Sequence, residues 1–189
     1  MDERRVRHLN AGPVHTDGTY VLYWMQQSQR ALFNPALEYA AGEANRMGRG
    51  LIVGFGLTDA YPEANQRHYA FMLEGLAEVG EALHQREIKF VVRRGDPADV
   101  ALELAQDAAL VVCDRGYLRH QRKWRERVAG QAGRRVTQVE GDVVVPVDIA
   151  SEKVEFAART LRPKLNKIWP EFLGNVPSVT MAKSSLPLK

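Results

Sequence analysis

Tyr20-Val21-Leu22-Tyr23-Trp24-Met25-Gln26-Gln27-Ser28-Gln29-Arg30 begins as a continuous apolar run and ends abruptly in amides and a cation. An apolar run without polar alternation suits a strand covered on both faces. Asn34-Pro35 follows as a helix start, with Asn34 as N-cap and Pro35 at the first helical position. Thr19–Gln26 is therefore read as the central first strand of a parallel sheet. The turn after it, Gln26–Arg30, lies at the carboxyl edge, where such sheets hold ligands.

The flanking sequence repeats the strand-then-helix plan. Asn34–Met47 reads as a helix closed by Gly48. Leu51-Ile52-Val53-Gly54-Phe55 is a second buried strand. A long helix follows from about Glu63 to Arg86, with Met72, Leu76, Val79 and Leu83 as its inner stripe. Ile88–Val92 is a third strand, and Asp96-Pro97 opens another helix. Leu110–Cys113 is a fourth strand, with Asp114-Arg115-Gly116-Tyr117 as its turn and a helix from Arg119 to Ala129. Arg135–Glu140 and Val143–Val147 read as further strands, and Arg4–Leu9 as a short lead-in helix. Short β-rich runs alternating with longer amphipathic segments indicate an α/β fold with a parallel sheet. Right-handed crossovers place helices on both faces.

The chain has 189 residues, 45% hydrophobic and 26% charged, which suits one globular domain plus an extension. We divide it into a domain at 19–150 and an extension at 151–189. Ser151–Thr160 reads as one helix; beyond it, repeated prolines argue against helix or central strand. Ile168, Trp169, Phe172, Leu173 and Val176 are nonetheless too apolar for a free linker. Net charge is +3, with seven Lys and Arg against three Glu from Ser151 onward and 19 against 20 acids before it. A basic extension reads as a solvated tail or as a nucleic-acid contact. The single cysteine excludes an internal disulfide. No apolar run reaches the ~20 residues of a membrane span. Met1-Asp2-Glu3-Arg4-Arg5 is not read as a secretory signal, so a cytoplasmic protein without membrane partners is expected.

Motifs for chemistry are sparse. Gly54-Phe55-Gly56 follows a strand like the opening of a dinucleotide fingerprint, but Asp59 stands at the third glycine position, where it would meet a phosphate. His8, His15, His68, His84 and His120 are scattered without metal spacing, so no metal is expected. Cys113 sits in an apolar strand as a buried thiol. Arg115, Arg119, Arg122, Lys123, Arg125 and Arg127, with Tyr117 and Trp124, read either as a solvated helix face with Trp124 inward or as a phosphate- and base-gripping cluster. Tyr23, Trp24 and Met25 have the spacing of core residues. The functional alternative is a flat-ring pocket oriented by Gln26 or Asp114.

Seven ordered blocks go further. They are Tyr20–Arg30 (YVLYWMQQSQR), Leu37–Asn45 (LEYAAGEAN), Phe55–Asn65 (FGLTDAYPEAN), Arg67–Gly75 (RHYAFMLEG), Asp114–Arg125 (DRGYLRHQRKWR), Gln138–Val147 (QVEGDVVVPV) and Ala150–Pro163 (ASEKVEFAARTLRP). Together they resemble the amino-terminal domain of class II cyclobutane-pyrimidine-dimer DNA photolyases. The resemblance implies a Rossmann-like five-stranded parallel sheet, then a connection to a helical domain that binds FAD and dimer-containing DNA. It implies that the amino-terminal domain holds an antenna pigment, an 8-hydroxy-5-deazaflavin or a folate. None of the seven blocks resembles that helical domain, so no catalytic residue is carried over. The cofactor-binding residues expected at the carboxyl edge are Tyr23, Trp24, Met25, Gln26, Phe55, Gly56, Leu57, Asp114 and Arg115. The segment from Ser151 is then the start of the interdomain connection. The alternatives are a stand-alone nucleotide- or flavin-binding module and a partner subunit without photochemistry.

Overall fold

The computed structural model describes residues 2–188. One six-stranded sheet forms its centre, from β1 (Val6–His8), β2 (Tyr20–Trp24), β3 (Gly50–Leu57), β4 (Lys89–Arg94), β5 (Ala108–Asp114) and β6 (Val136–Val139). The spatial order is β1-β6-β5-β2-β3-β4. From β2 to β6 every neighbouring pair is parallel, while β1 runs antiparallel against β6. Six helices accompany the sheet: α1 (Pro35–Arg46), α2 (Gln66–Gln85), α3 (Pro97–Ala105), α4 (Arg119–Gln131), α5 (Val147–Ala150) and α6 (Ala158–Ile168).

The position of β2 follows from its side chains. All five of its residues are buried, and they divide alternately between the two faces. Val21, Tyr23 and the following Met25 join a core with α1 and α2. Tyr20, Leu22 and Trp24 join a second core with α3 and α4. A strand apolar on both faces has no low-energy place except between two helical layers. From β2 the chain steps to β3 and β4, then returns to β5 on the other side of β2. That reversal opens a crevice at the carboxyl ends of the strands.

Local chemistry sets the helix starts. Asn34 caps α1 by accepting from Leu37 N–H at 3.1 Å, with Pro35 at the first position. Asp96 caps α3 through Ala98 and Asp99 N–H. The long helix starts at Gln66, three residues later than the expected Glu63. Glu63 has a positive φ of 62°, and Asn65 makes the cap, accepting from Arg67 N–H while its own N–H reaches His68 Nδ1. The glycines of Gly54-Phe55-Gly56 serve packing. A Cβ on Gly56 would lie 2.6 Å from Pro97 Cα, and one on Gly54 would lie 2.5 Å from Leu104 Cδ1. They let α3 approach β3, which is a different use from cradling a phosphate.

Three expectations need correction. Arg4–Leu9 is a 3-10 turn (Glu3–Arg5) followed by strand β1, which covers the exposed edge of β6. With that edge taken and Pro146 interrupting, Val143–Val147 forms no strand; bends lead into the short α5. Instead of a helix over Ser151–Thr160, a loop leads to α6, and Pro163 lies inside α6 at the cost of one backbone bond.

The last residues return to the amino-terminal end of the sheet. Arg86 meets Glu38 in a bidentate pair, both contacts at 2.8 Å and both side chains largely buried. The same two residues hold Val179, whose N–H donates to Glu38 at 2.6 Å and whose carbonyl accepts from Arg86 at 3.2 Å. The Asn45 side chain brackets Thr180 O and Ala182 N, each at 2.8 Å. Ser185 is fully buried, donates to Leu51 O and accepts from Lys89 N–H. Removing one partner of a buried pair leaves the other charge uncompensated, at a cost of ~3–5 kcal/mol. Glu38→Ala is therefore expected to lower stability by about 3 kcal/mol in urea unfolding. It should also speed tryptic cleavage after Lys183 in the folded protein, because the strap loses its anchor.

Candidate functional site

Asp114, the last residue of β5, organises the carboxyl edge. Its Oδ2 accepts from the backbone N–H of Gln26 (2.9 Å), Gln27 (2.7 Å) and Ser28 (3.0 Å), the whole turn after β2. Its Oδ1 accepts from the Tyr23 hydroxyl, which in turn accepts from Asn34 Nδ2 at 3.0 Å. Asn34 Nδ2 also holds Ser28 O and Arg30 O. One carboxylate and one amide thus fix the turn and the start of α1 together. Burial pushes the Asp114 carboxyl up, and the four hydrogen bonds it accepts pull it back. Burial likewise pushes the Tyr23 hydroxyl well up.

Above this turn lies a cavity of about 610 Å³ over the carboxyl ends of β2 and β3. That is the size of a small-molecule site. Met25, Gln26, Phe55, Gly56 and Leu57 form its floor. The β3–α2 loop, with Thr58, Tyr61 and Pro62, covers one side, and Tyr69 and Met72 of α2 back it. Tyr69 donates to Thr58 O at 2.8 Å and steadies that loop. The opposite wall is Gln121 and Trp124 of α4. Tyr61 and Trp124 meet through His120: the Tyr61 and His120 rings pack edge-on at 4.7 Å, and His120 and Trp124 at 5.0 Å. The loop and α4 are therefore joined by aromatic contacts across the site.

The lining contains no lysine and no arginine; Glu63 and His68 sit at its exposed margin. Gln27 and Gln121 satisfy each other at 2.8 Å. Gln26 differs: its side-chain oxygen and nitrogen are both buried and have no hydrogen-bond partner among the described residues. The walls are apolar and aromatic, and away from the exposed margin the polar groups are neutral amides and hydroxyls.

Of the nine residues expected from the sequence, five lie on this cavity: Met25, Gln26, Phe55, Gly56 and Leu57. Tyr23 and Asp114 stand beneath the turn and shape it without lining the space. Trp24 faces the other side of the sheet, in the α3/α4 core. Arg115 turns away to Glu140 (2.9 Å) and Asp148 (2.8 and 3.0 Å), where it ties the β5–α4 turn to the residue after β6 and to α5. Reasoning from the sequence did not put Tyr61, Tyr69 or Gln121 in this site, gave Trp124 to the helix core or the basic cluster, and gave Met72 only to the helix core. The available signal was that Tyr61-Pro62 directly follows the second strand's carboxyl end.

The basic cluster separates in the same way. Arg125 is buried and donates to Gly116 O at 2.7 Å, and Arg127 pairs with Asp96 and Asp99. Arg119, Arg122 and Lys123 are exposed. Burial raises the Cys113 thiol to about 12, leaving negligible thiolate at neutral pH. No group of three His, Cys, Asp or Glu among the described residues could hold a metal, and no described helix is long and apolar enough to cross a membrane.

A family profile for DNA photolyase matches residues 21–182. The chain belongs to the DNA photolyase family. It is 45% identical over 185 residues to a deoxyribodipyrimidine photo-lyase of Methanothermobacter thermautotrophicus, a match covering 98% of this chain and 42% of that protein. It is 32% identical to the Arabidopsis thaliana deoxyribodipyrimidine photo-lyase, over 95% of this chain and 38% of the relative. Among solved structures, an archaeal photolyase from Sulfolobus tokodaii, crystallised with two FAD molecules, superposes with a TM-score of 0.61 at 15% identity, over 87% of this chain and 37% of that one. At that identity the match establishes the shared fold. The photolyase-family chain spans less than half the length of the curated relatives it matches.

The Asp114 network predicts a graded response. Asp114→Ala leaves three backbone N–H groups and one hydroxyl without an acceptor, each costing ~1–3 kcal/mol, so a loss of at least about 3 kcal/mol is expected. Asp114→Asn keeps an oxygen for the turn and is expected to lose less than half of that. Chemical unfolding of the two variants checks the ratio.

Proposed function

We propose that this chain is the amino-terminal part of a class II deoxyribodipyrimidine photo-lyase and holds a light-harvesting pigment in the cavity over β2 and β3. The observation that carries the reading is the lining: flat aromatic and aliphatic walls, neutral amides and no lysine or arginine, enclosing about 610 Å³. Such a space suits a planar, largely uncharged ring, bound by contact area and oriented by a few polar atoms. It is poorly matched to a nucleotide triphosphate, whose charge has no lysine or arginine to meet it. The stand-alone nucleotide-binding alternative loses support on the same ground.

When bound, an 8-hydroxy-5-deazaflavin or folate pigment absorbs light and passes the excitation to a flavin. This chain's residues need move no proton for that. Asp114 and Asn34 hold the turn rigid, Met25 and Phe55 form the floor, and the Tyr61–His120–Trp124 contacts keep the loop over the ring and water out. An 8-hydroxy-5-deazaflavin, which carries no carboxylate, fits the lining better than a folate whose glutamate carboxylates lack a lysine or arginine partner. The repair chemistry, with FAD and dimer-containing DNA, belongs in this proposal to the helical remainder of the longer relatives. The segment from Ser151, with exposed Val154, Phe156, Trp169 and Leu173, is the start of the connection to it.

Two measurements test the reading. Titrated against the purified chain, 8-hydroxy-5-deazaflavin is expected to bind with a shifted, structured absorption band, while ATP binds at least a hundredfold more weakly. Tighter binding of ATP would favour the nucleotide-binding alternative. Under near-ultraviolet light the chain alone is expected to reverse no pyrimidine dimers in DNA, and measurable reversal would contradict the division of labour.

A further inference from the structure

The excess positive charge of the extension gathers on one helix. Of its seven Lys and Arg, Arg159, Arg162, Lys164 and Lys167 all belong to α6. One side of α6 is committed to its own chain. Leu161 and Leu165 line an apolar groove together with Val144 and Val147. Lys164 donates to Ser151 Oγ at 2.9 Å and pairs with Glu155. At 3.6 residues per turn, Arg159, Arg162 and Lys167 fall on the opposite side, with the neutral Asn166 among them. All three are exposed, and none has an ion-pair or hydrogen-bond partner among the described residues.

The acids nearby are already engaged. Asp148 meets Arg115, Glu155 meets Lys164, and Glu171 meets Arg4. Glu152 and the adjoining Lys153 cancel in net charge. On α4, by contrast, the exposed Arg119, Arg122 and Lys123 share their face with Glu126. The outer side of α6 is therefore a row of three uncompensated cations, spread over roughly 12 Å at ~1.5 Å per residue. Its complement is a regular array of accessible anions, and duplex DNA carries one negative charge per ~1.7 Å of its axis. An anionic bilayer is a poorer match. A helix bound to lipid lays its apolar face into the headgroups, and that face of α6 is turned into the groove. The family is that of DNA photolyase, so a polyanion of this kind is at hand.

We propose that the outer face of α6 is a contact surface for the phosphate backbone of duplex DNA, with Arg159, Arg162 and Lys167 each meeting a phosphate. The surface holds the duplex by charge and reads no base, so it requires neither a particular sequence nor a pyrimidine dimer. It decides between the two readings of the basic extension in favour of a nucleic-acid contact. It is independent of the pigment cavity and rests only on the reading of this chain as part of a DNA photolyase.

The test is fluorescence anisotropy of the full chain with a labelled, undamaged DNA duplex, in the dark, as sodium chloride is raised from about 20 mM. Each neutralised phosphate contributes about −0.9 to the slope of log affinity against log salt, so the wild type is expected to show a slope of about −2.7. The triple variant Arg159→Gln, Arg162→Gln, Lys167→Gln is expected to lose nearly all of that slope and to bind at least tenfold more weakly at the lowest salt. Glutamine keeps the helix, so its thermal midpoint should match the wild type. The three single variants are each expected to flatten the slope by about 0.9, and they decide the matter if the triple variant does not fold. On α4, the variant Arg119→Gln, Arg122→Gln, Lys123→Gln is expected to leave the slope within about half a unit. Loss of binding in the α4 variant with none in the α6 variant would overturn the proposal. So would a wild type that binds no duplex at low salt, or one that binds mixed phosphatidylserine and phosphatidylcholine vesicles more tightly than DNA. The pigment titration is read separately: a chain that shows the α6-dependent slope but takes no deazaflavin sinks the pigment assignment and leaves this surface standing.

Discussion

Four hydrogen bonds onto one buried carboxylate hold the working end of this domain. Asp114 comes from β5, and the groups that donate to it come from β2 and the turn beyond it. The two strands are neighbours in the sheet but about ninety residues apart in sequence. At this point the chain reverses its direction of strand addition, so no helix or hairpin spans the gap. A single side chain that accepts three consecutive backbone N–H groups substitutes for the secondary structure the turn lacks. Tyr23 and Asn34 extend the network into the start of α1. The turn that carries Gln26 is thereby tied directly to the sheet beneath it.

The rest of the site follows from how closely the helices are allowed to approach. Gly54 and Gly56 bring α3 against β3 and leave the floor flat. Asn65 delays the start of α2 until the loop from Thr58 has crossed the carboxyl edge, which makes a wall out of residues that would otherwise begin a helix. Trp124 on α4 closes the opposite side through His120 and Tyr61. On the far end of the sheet, Glu38 and Arg86 clamp the returning segment, so residues 179–188 brace the starts of β3 and β4, away from the cavity. The cavity and the strap occupy opposite ends of the same strands.

Much of this architecture was legible in the sequence, for physical reasons that can be named. The unbroken apolar run from Tyr20 had to be a strand buried on both faces, and Asn34-Pro35 and Asp96-Pro97 had to open helices. Asn34 and Asp96 cap as their side-chain chemistry requires. What escaped was whatever depends on residues far apart. The apolar run puts Tyr23 and Trp24 on opposite faces but does not say which of them meets α1 and which meets α3, because period-two alternation is silent when every position is apolar. Asp114 looked like a group for a ligand, and only the adjacency of β5 and β2 shows that its oxygens are spent on the turn. Arg115 was drawn off by Glu140 and Asp148, which no local spacing could reveal. Val143–Val147 has strand composition, yet β1 had already taken the edge it needed. The aromatic wall at Tyr61 and Trp124 comes from two segments that meet only in the fold.

The central claim is that a flat pigment rests on the floor formed by β2 and β3. The most direct measurement is a ¹⁵N chemical-shift map of the chain titrated with 8-hydroxy-5-deazaflavin. The account predicts the largest changes at Met25–Gln27, Phe55–Thr58 and Tyr61, with little change near Ser185. Changes centred instead on the exposed apolar residues Val154, Phe156, Trp169 and Leu173, or spread evenly over the surface, would contradict it.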